Sequence, residues 1–417
     1  MEKSGKFRLT SLERNWILYD VGNSAFVLMV ATLIPIFFNA LAAAGGLSSV
    51  EYLAYWGYAS SAVTIITAVL SPILGTVADT KGFKKPIFIL CVFVGIVGCC
   101  AMGAVSAWLP FPVIFVIAKV GFSGSLVFYD SMLSDVTTPE RMDEVSSRGY
   151  AWGYIGSCVP FVVCLGLVLG AGSIGISQMT ALNLALLLTA AWWLLTTLPL
   201  LKSYKQLYYV EVEKHAVRQS FARIGHTLRH LPEDKQVFWF LLAFFCYIDG
   251  VYTIIDMATA YGTALGLDTT GLLLALLVTQ IVAFPSALIF GRLSNKYPSA
   301  KLIPVCIAAY AGIAVFAFFL TRQWQFWVLA VIVGMFQGGV QALSRSHFAK
   351  IIPPEKSGEY FGLFDICGKG ASFLGTMIVS MGSQLTGSAN VGVGSLIVLF
   401  IVGFVLFRVS CRQSETA

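Results

Sequence analysis

Apolar residues lie along the chain in twelve long, nearly continuous runs that are separated by shorter polar stretches. The runs fall near residues 16–43, 52–77, 86–107, 111–133, 149–171, 177–201, 236–262, 269–291, 301–320, 324–346, 359–383 and 390–410. An α-helix needs about 20 residues to cross the hydrocarbon core of a bilayer. Only helices and closed barrels can span lipid, and these runs lack the alternation of barrel strands. The pattern therefore predicts an all-α polytopic membrane protein with twelve transmembrane helices, which we number spans 1 to 12.

The composition supports a membrane protein and excludes several other classes. Of the 417 residues, 57% are apolar and 12% are charged, whereas a soluble domain carries about 25% charged residues. A net charge of +6 on this length is too dilute to predict a nucleic-acid-binding protein. The sequence has no Gly-x4-Gly-Lys-Ser/Thr loop, no His-Glu-x-x-His motif and no clustered cysteines. It predicts neither a cofactor nor a metal site.

Lysine and arginine predict the orientation of the spans. Of the 27 basic residues, 24 lie on the side that holds the start of span 1 and the loops after even-numbered spans. The cytoplasmic loops of membrane proteins carry such an excess of basic residues. Both termini are therefore predicted to be cytoplasmic.

One long polar stretch, residues 202–235, divides the chain into six spans and six. The predicted organisation is a cytoplasmic segment (1–15), a six-helix half (16–201), a cytoplasmic linker (202–235), a second six-helix half (236–410) and a cytoplasmic tail (411–417). Apolar residues recur in the linker at Val210, Val212, Val217, Phe221, Ile224, Leu228 and Leu231. This spacing fits an amphipathic helix on the membrane surface, and a plain tether is the alternative.

Short motifs repeat at about half the chain length. Residues 75–79 (Gly-Thr-Val-Ala-Asp) correspond to residues 291–295 (Gly-Arg-Leu-Ser-Asn), 216 positions later. The Pro-Glu pair at 139–140 recurs at 354–355, and a Tyr-Asp motif of span 1 has a counterpart in span 7. These matches predict two parallel, pseudo-symmetric six-helix halves, the architecture of transporters that rock one half against the other.

The loop after span 2 combines two glycines, an acid and two bases in the pattern Gly75-x3-Asp79-x2-Gly82-x-Lys84-Lys85. This pattern resembles the signature loop of the major facilitator superfamily. An aspartate at a helix end can pair with a neighbouring helix terminus or base, and glycine permits close approach and turning. The second copy has Asn295 in place of the acid, so we expect its latch to be weaker or absent.

Three stretches are similar to the vacuole-effluxer-like (unknown major facilitator) family of that superfamily. They are residues 16–26 (Trp-Ile-Leu-Tyr-Asp-Val-Gly-Asn-Ser-Ala-Phe), 247–255 (Tyr-Ile-Asp-Gly-Val-Tyr-Thr-Ile-Ile) and 359–364 (Glu-Tyr-Phe-Gly-Leu-Phe). The resemblance implies the major facilitator fold, with a cavity lined by spans 1, 4, 7 and 10. Fungal members export amino acids from vacuoles, which suggests an amino-acid-like solute. The short loops resemble those of a bacterial member, which implies the bacterial plasma membrane.

Ionisable side chains inside the spans need a reason, because a charge at the bilayer centre costs roughly 2.5–3.5 kcal/mol on insertion scales. Seven residues qualify: Asp20, Asp130, Asp249, Asp256, Asp365, Lys119 and Lys369. All seven are candidates for binding a solute or a proton, whereas the basic residues of the loops set the orientation of the spans.

Span 7 carries the central candidate, Asp249, with Tyr252 and Asp256 on the same face at i+3 and i+7. A carboxylate at this depth can load a proton or bind solute, and a hydrogen bond between packed helices is the alternative. Asp256 lies nearer the outer surface. Asp20, beside Asn23, is placed about four residues inside span 1, where it serves either as a cap or gate contact or in coupling.

Span 4 carries Lys119 and Asp130, which share a face because they are three turns apart. Lys119 can neutralise Asp249 or Asp256 across a cavity, or bind a carboxylate of the solute. Its structural pairing with an acid is the alternative.

Spans 10 and 11 carry the remaining candidates. Asp365 and Lys369 are an acid and a base at i and i+4, which predicts a self-neutralising pair, with gating as the alternative. Gln337, Gln341 and Arg345 form a polar stripe at i, i+4 and i+8. The glutamines can hydrogen-bond a solute, and Arg345 is expected to close a gate with an acid of the other half.

The leading functional hypothesis is a monomeric secondary transporter that moves a small polar or zwitterionic solute across the lipid bilayer, with protons as a candidate coupling ion. A translocator of lipids or amphipathic molecules is the alternative. A membrane-embedded enzyme is disfavoured because the four histidines lie in the linker or at a helix end and not in a deep cluster with acids.

Overall fold

The computed structural model describes residues 7–211, 225–227, 229–264 and 266–416. Side chains are described for all of these residues except 49, 50, 53, 259, 260, 263, 264, 269, 270, 273, 369–373 and 414–416. The described residues are almost entirely helical, which confirms the all-α class. A single isolated parallel β-bridge among them joins Thr80 to Val210.

Twelve long helices within the described residues follow the predicted spans in order. Their bounds are Ser11–Ala44 (α1), Ser49–Ala78 (α2), Lys84–Ala104 (α3), Pro110–Ser131 (α4), Met142–Leu169 (α5), Gln178–Ser203 (α6), Lys235–Ala264 (α7), Thr269–Leu293 (α8), Ser299–Phe318 (α9), Gln323–Ile351 (α10), Ser357–Thr386 (α11) and Ile397–Thr416 (α12). Short helices lie at Leu133–Val136, Pro354–Lys356 and Ala389–Gly394. Of the described spans, 11 are apolar and long enough to cross a membrane. The remaining helix, α11, has 30 residues, or about 45 Å at 1.5 Å per residue, which exceeds a hydrocarbon core of about 30 Å.

Four helices extend by five or more residues beyond the predicted spans on the cytoplasmic side. α1 begins at Ser11 rather than at residue 16, and α5 begins at Met142 rather than at 149. α10 ends at Ile351 rather than at 346, and α12 ends at Thr416 rather than at 410. The additional turns are polar, and hydropathy therefore assigns them to loops. Their side chains instead pair with neighbouring elements: Glu13 accepts hydrogen bonds from Arg141 at 2.8 and 2.7 Å.

Helices α1–α6 pack mainly on one another, and so do helices α7–α12. The two groups repeat a contact as well as sequence motifs. The hydroxyl of Tyr19 donates to Ser125 Oγ at 2.6 Å and links α1 to α4. The hydroxyls of Tyr247 and Ser344, also 2.6 Å apart, link α7 to α10 in the same way.

The two halves meet at their cytoplasmic ends, where α2 packs on α11 and α5 packs on α8 and α10. A Cβ atom at Gly75 would lie 2.1 Å from the carbonyl oxygen of Gly358, and one at Gly291 would lie 2.8 Å from Ser147 Cβ. Glycine is required at both positions because backbones this close leave no room for a side chain.

Towards the outer side the halves separate. On α2, Tyr58 and Ile65 are 70% and 65% exposed, whereas Ser71 and Thr76, about two to five turns nearer the cytoplasm, are 2% and 0% exposed. Lipid or water therefore surrounds most of the outer part of α2, while protein surrounds its cytoplasmic part. The described residues of the two halves are therefore packed together towards the cytoplasm, and α2 loses its protein cover towards the outside.

The amphipathic helix predicted in the linker falls largely on residues 212–224 and 228, which lie outside the described residues. Residues 204–211 are described. They run without helix along the loop that follows α2 and contact it through the Thr80–Val210 bridge.

Candidate functional site

Arg345 of α10 lies at the closed end of the space between the halves, with its side chain 2% exposed. Its Nη1 atom is 3.0 Å from Asp130 Oδ1 on α4 and 3.8 Å from Asp20 Oδ2 on α1. A cation of the second half is thus held by two acids of the first. The polar stripe on span 10 predicts such a contact between Arg345 and an acid of the other half, and its role as a gate stays a prediction.

Backbone and aromatic contacts hold the same guanidinium. Its Nε atom donates to Ser146 Oγ at 2.9 Å, and its Nη2 atom donates to the Ser146 carbonyl oxygen at 3.0 Å. The rings of Trp16 and Tyr150 lie 4.7 and 4.3 Å from the guanidinium carbon. A lysine could not reproduce this planar set of donors and stacking faces.

Asp20 lies further from the start of its helix than the sequence predicts. Because α1 begins at Ser11, Asp20 is nine residues into the helix, or about 14 Å from its start at 1.5 Å per residue. The predicted distance of about four residues is counted from residue 16 and is too short for the whole helix, because the first turn of α1 precedes the apolar run. A Cβ atom at Gly149 of α5 would lie 3.0 Å from Asp20 Oδ2, so a glycine lets the carboxylate fit against α5. The neighbouring Asn23 donates to the Tyr19 carbonyl oxygen at 3.1 Å.

The side chain of Asp249 is not exposed to the space between the halves. Its side chain is fully buried, and both carboxylate oxygens accept the backbone N–H of Gly375 at 2.9 Å. Thr253 donates to Oδ1 at 3.2 Å. These contacts join α7 to α11, which is the geometry of the helix-packing alternative.

Tyr252 and Lys119 are half-buried, and Asp256 is exposed. Lys119 is within electrostatic range of Asp256, and its Nζ atom lies 4.6 Å from the centre of the Phe122 ring. Tyr252 is within electrostatic range of Asp130 and Asp256. The structure therefore brings Lys119 towards Asp256, the outer of the two acids that the sequence offers as its partner.

The two glutamines of α10 have different surroundings. Gln341 Oε1 accepts from the hydroxyl of Tyr154 at 3.3 Å, across from α5. Gln337 is 6% exposed, and its Oε1 atom has no hydrogen-bond partner among the described residues. A buried acceptor of this kind favours a hydrogen bond from a ligand or water.

Asp365 of α11 accepts a hydrogen bond from Ser71 Oγ of α2 at 2.6 Å, so it joins the two halves. The side chain of Lys369 lies outside the described residues, and the predicted pair between Asp365 and Lys369 falls there.

Asp79 forms a latch between α2 and α11. Its carboxylate oxygens accept the backbone N–H groups of Gly358 and Glu359 at 2.7 and 2.8 Å, at the helix terminus where a negative charge is favourable. Lys84 Nζ lies 3.9 Å from Asp79 and donates to Ser357 Oγ at 2.9 Å. Burial raises the pKa of the Asp79 carboxyl to about 7 against the effect of the Lys84 ammonium.

The remaining members of the loop pattern shape the turn. Gly82 has a φ of +79°, a left-handed conformation that favours glycine. Lys85 Nζ lies 3.4 Å from the Tyr204 carbonyl oxygen. Gly75 permits the close approach of α2 to α11 described above.

The second latch is present, with its polarity reversed. Asn295, at the end of α8, donates to Glu144 Oε2 on α5 at 2.9 Å. In the first latch a side-chain acid at the end of α2 accepts from α11, whereas here a side-chain amide at the end of α8 donates to an acid of α5. A contact is therefore present where the sequence predicts a weaker or absent latch, and Glu144 supplies its charged group.

Several gate residues are not identified by sequence reasoning. Asp143 accepts from Ser346 Oγ at 2.6 Å and lies 2.6 Å from Lys350 Nζ, so it joins α5 to α10. Asp135 lies 3.4 Å from Lys84 Nζ. One sequence feature points to Glu144. The Pro-Glu repeat has an offset of 215 residues, and the same offset aligns Glu144 with Glu359 of the first latch.

We expect Asn295→Asp to weaken the second latch, since two carboxylates would then meet at hydrogen-bond distance. The expected loss is about 1–3 kcal/mol in the free energy of unfolding, measured by thermal denaturation of the purified protein. The double variant Asn295→Asp with Glu144→Gln restores a donor and an acceptor in the opposite order. It should recover most of the loss, and no recovery would contradict the reversed-polarity contact.

Among the described residues, no group of three or more His, Cys, Asp or Glu side chains is placed to hold a metal ion. The cluster of Arg345 with Asp20 and Asp130, and the two latches, are polar contacts that join the two halves towards the cytoplasm.

Comparison with known proteins gives consistent matches. The chain matches the family model described as vacuole effluxer Atg22 like over residues 11–142 and 134–416. It is 41% identical over 414 residues to YxiO of Bacillus subtilis (strain 168), an uncharacterized MFS-type transporter, covering 98% of this chain and 97% of that protein. It is 25% identical over 315 residues to autophagy-related protein 22 of Coccidioides immitis (strain RS), covering 65% of this chain and 51% of the fungal protein. The chain thus spans about half the length of this fungal relative.

The fold is similar to that of FucP, a major facilitator superfamily transporter solved in the outward conformation. The TM-score is 0.72 at 15% sequence identity, and the match covers 96% of this chain and 97% of the other. At this identity the likeness establishes the two-half, twelve-helix fold and leaves the solute open.

Proposed function

The chain belongs to the vacuole effluxer Atg22-like family, and on this premise we propose that it is a secondary transporter that moves a small polar or zwitterionic solute by alternating access. It is an MFS-type transporter and a multi-pass membrane protein, as its bacterial relative and structural neighbours indicate. The finer parts of the proposal are an amino-acid-like solute, proton coupling at the gate and a monomeric transporting unit.

The gate formed by Arg345 carries the proposal. A cation of one half is buried between two acids of the other, at the end where the halves are closed. Breaking a buried ion pair costs about 3–5 kcal/mol if the separated charges stay unpaired. Protonation of Asp130 or Asp20 as the halves part reduces that cost, which ties opening towards the cytoplasm to the binding of a proton.

The polar groups above the gate support a solute that carries both charges. Lys119 of the first half and Asp256 of the second lie within electrostatic range of each other. A carboxylate of the solute can be matched by Lys119 and an ammonium group by Asp256. Gln337, whose buried acceptor faces no donor among the described residues, can receive a further hydrogen bond.

A thermal-shift screen of the purified protein tests the solute class. The panel contains amino acids, peptides, sugars, nucleosides and lysolipids. Stabilisation by zwitterionic solutes, followed by their uptake into proteoliposomes under a pH gradient, is the expected result. Stabilisation by lysolipids alone would replace this proposal with translocation of an amphipathic molecule.

The coupling proposal predicts different results for the acids Asp130 and Asp249. Asp130→Asn should abolish the stimulation of uptake by a pH gradient while solute exchange continues, because the gate acid can no longer bind and release a proton. Asp249→Asn should keep the stimulation, because an amide oxygen still accepts the N–H of Gly375. Uptake in proteoliposomes with and without a pH gradient measures both. If Asp249→Asn alone removes the stimulation, the proton site lies on α7 and the assignment to Asp130 is wrong.

A further inference from the structure

Residues 204–211, which follow α6, lie against the loop that carries the first latch. The segment begins at Tyr204, which ends α6 in an extended conformation and is 2% exposed. It ends beside Thr80, where the Val210 N–H donates to the Asp79 carbonyl oxygen at 2.8 Å and the Val210 carbonyl oxygen accepts from the Lys81 N–H at 3.3 Å. We name residues 204–211 the strap.

Gln206 of the strap holds both ends of the turn that follows α2. Its Nε2 atom donates to the Ala78 carbonyl oxygen at 3.1 Å, and its Oε1 atom accepts the Gly82 N–H at 3.0 Å. Asp79, the latch acid, lies between these two attachment points. One amide side chain therefore spans the turn that aims the Asp79 carboxylate at α11.

The strap also holds Asp135, the acid beside Lys84. The hydroxyl of Tyr204 donates to Asp135 Oδ2 at 2.5 Å, and the backbone N–H groups of Leu207 and Tyr208 donate to Oδ1 at 3.0 and 2.9 Å. A carboxylate with this many donors is fixed in place. It in turn places the Lys84 ammonium next to Asp79 and Ser357.

We propose that Tyr204 and Gln206 are positioning residues of transport: the strap preorganises the Asp79 latch and thereby sets how often the cytoplasmic side opens. The proposal rests on the proposed alternation between two states. It needs no knowledge of the solute. The strap touches neither α11 nor the cavity through these contacts, so its effect on α11 passes through Asp79 and Lys84.

Hydrogen exchange tests this on the full-length protein in detergent. The readout is the exchange rate of the Gly358 and Glu359 amides, which are protected when the latch is closed. We expect Gln206→Ala and Tyr204→Phe each to accelerate it roughly tenfold, the factor for loss of one or two hydrogen bonds of ordinary net strength. Gln206→Glu keeps the acceptor for Gly82 and loses the donor to Ala78, so its rate should lie between those of wild type and Gln206→Ala.

The control is Lys202→Ala, which alters an exposed side chain two residues before the strap and should leave the rate unchanged. A general loss of stability would accelerate exchange throughout α3 and α4 and lower the melting temperature, whereas the proposal confines the change to the latch. Unchanged exchange at Gly358 and Glu359 in both strap variants, or acceleration spread evenly over the first half, would overturn it. The experiment measures amide exchange and not transport. It therefore tests the role of the strap even if the proposed transport function is wrong.

Discussion

Replacing Arg345 with alanine is expected to reduce solute transport by about 100-fold or more and to favour the state that is open to the cytoplasm. The variant leaves the buried Asp20 and the half-buried Asp130 close to each other without their cation, which costs at most about 3–5 kcal/mol in the closed gate. It also removes the donors to Ser146, so α5 and α10 lose a second contact. Uptake in proteoliposomes measures the rate, and hydrogen exchange of the amides at the start of α5 measures the opening.

Three further variants separate the gate from general effects of losing an arginine. Arg345→Lys keeps the charge and loses the planar fork, so it should remain strongly impaired. Arg345→Ala combined with Asp130→Asn removes one of the two stranded acids and should recover part of the melting temperature. Arg292→Ala removes an exposed arginine at the cytoplasmic end of α8 and should transport like wild type. Near-normal transport by Arg345→Ala would show that the cluster is not the gate.

The architecture could be predicted from sequence because lipid imposes a strong and local rule. A run of about 20 apolar residues has few ways to satisfy its backbone in a bilayer, so the number and order of the helices follow from hydropathy. The limits of the helices did not follow, because Asp143, Ser146 and Lys350 are polar yet belong to helices. Their partners lie on other helices, at sequence separations that no local pattern reveals.

The contact of Asp79 could be predicted from the sequence, whereas the contact of Asp249 could not. Asp79 sits in a loop pattern whose chemistry is local: an acid at one helix end, a turn glycine and two bases. Whether Asp249 faces a cavity or a neighbouring helix depends on Gly375, which is 126 residues away and lets a backbone N–H reach the carboxylate. Helical periodicity gives the face of α7 and does not say which helix covers that face.

The same dependence on distant partners explains the strap. Nothing in the sequence of residues 204–211 distinguishes a segment bound to a loop from the start of a free linker. Tyr204 and Gln206 acquire their role only when α2 and α4 end beside them. The polar residues that sequence reasoning placed in the linker or the loops thus form a large part of the cytoplasmic gate.

Gly75→Ala is expected to prevent the cytoplasmic side from closing fully, although it adds only one methyl group. The new Cβ atom would lie 2.1 Å from the carbonyl oxygen of Gly358 and 2.7 Å from its carbonyl carbon. Backbone atoms cannot turn away as a flexible side chain can, so α2 and α11 must move apart. Overpacking of this kind costs about 1–3 kcal/mol, and it falls on the closed state alone. We therefore expect roughly tenfold or greater acceleration of amide exchange at Gly358 and a fall in transport of similar size.

Gly57 of the same helix provides a matched control, because a Cβ atom there would meet nothing within 4 Å. Both variants remove a helical glycine and gain about 0.5–1 kcal/mol of helix propensity, so the difference between them isolates the contact with α11. Gly57→Ala should transport normally and exchange at Gly358 like wild type. Gly358→Ala, whose Cβ would lie 2.5 Å from the Gly75 carbonyl oxygen, should reproduce Gly75→Ala from the opposite side. If Gly75→Ala instead behaves like Gly57→Ala, α2 and α11 do not pack this closely in the transport cycle, and the closed gate is held by the Arg345 cluster alone.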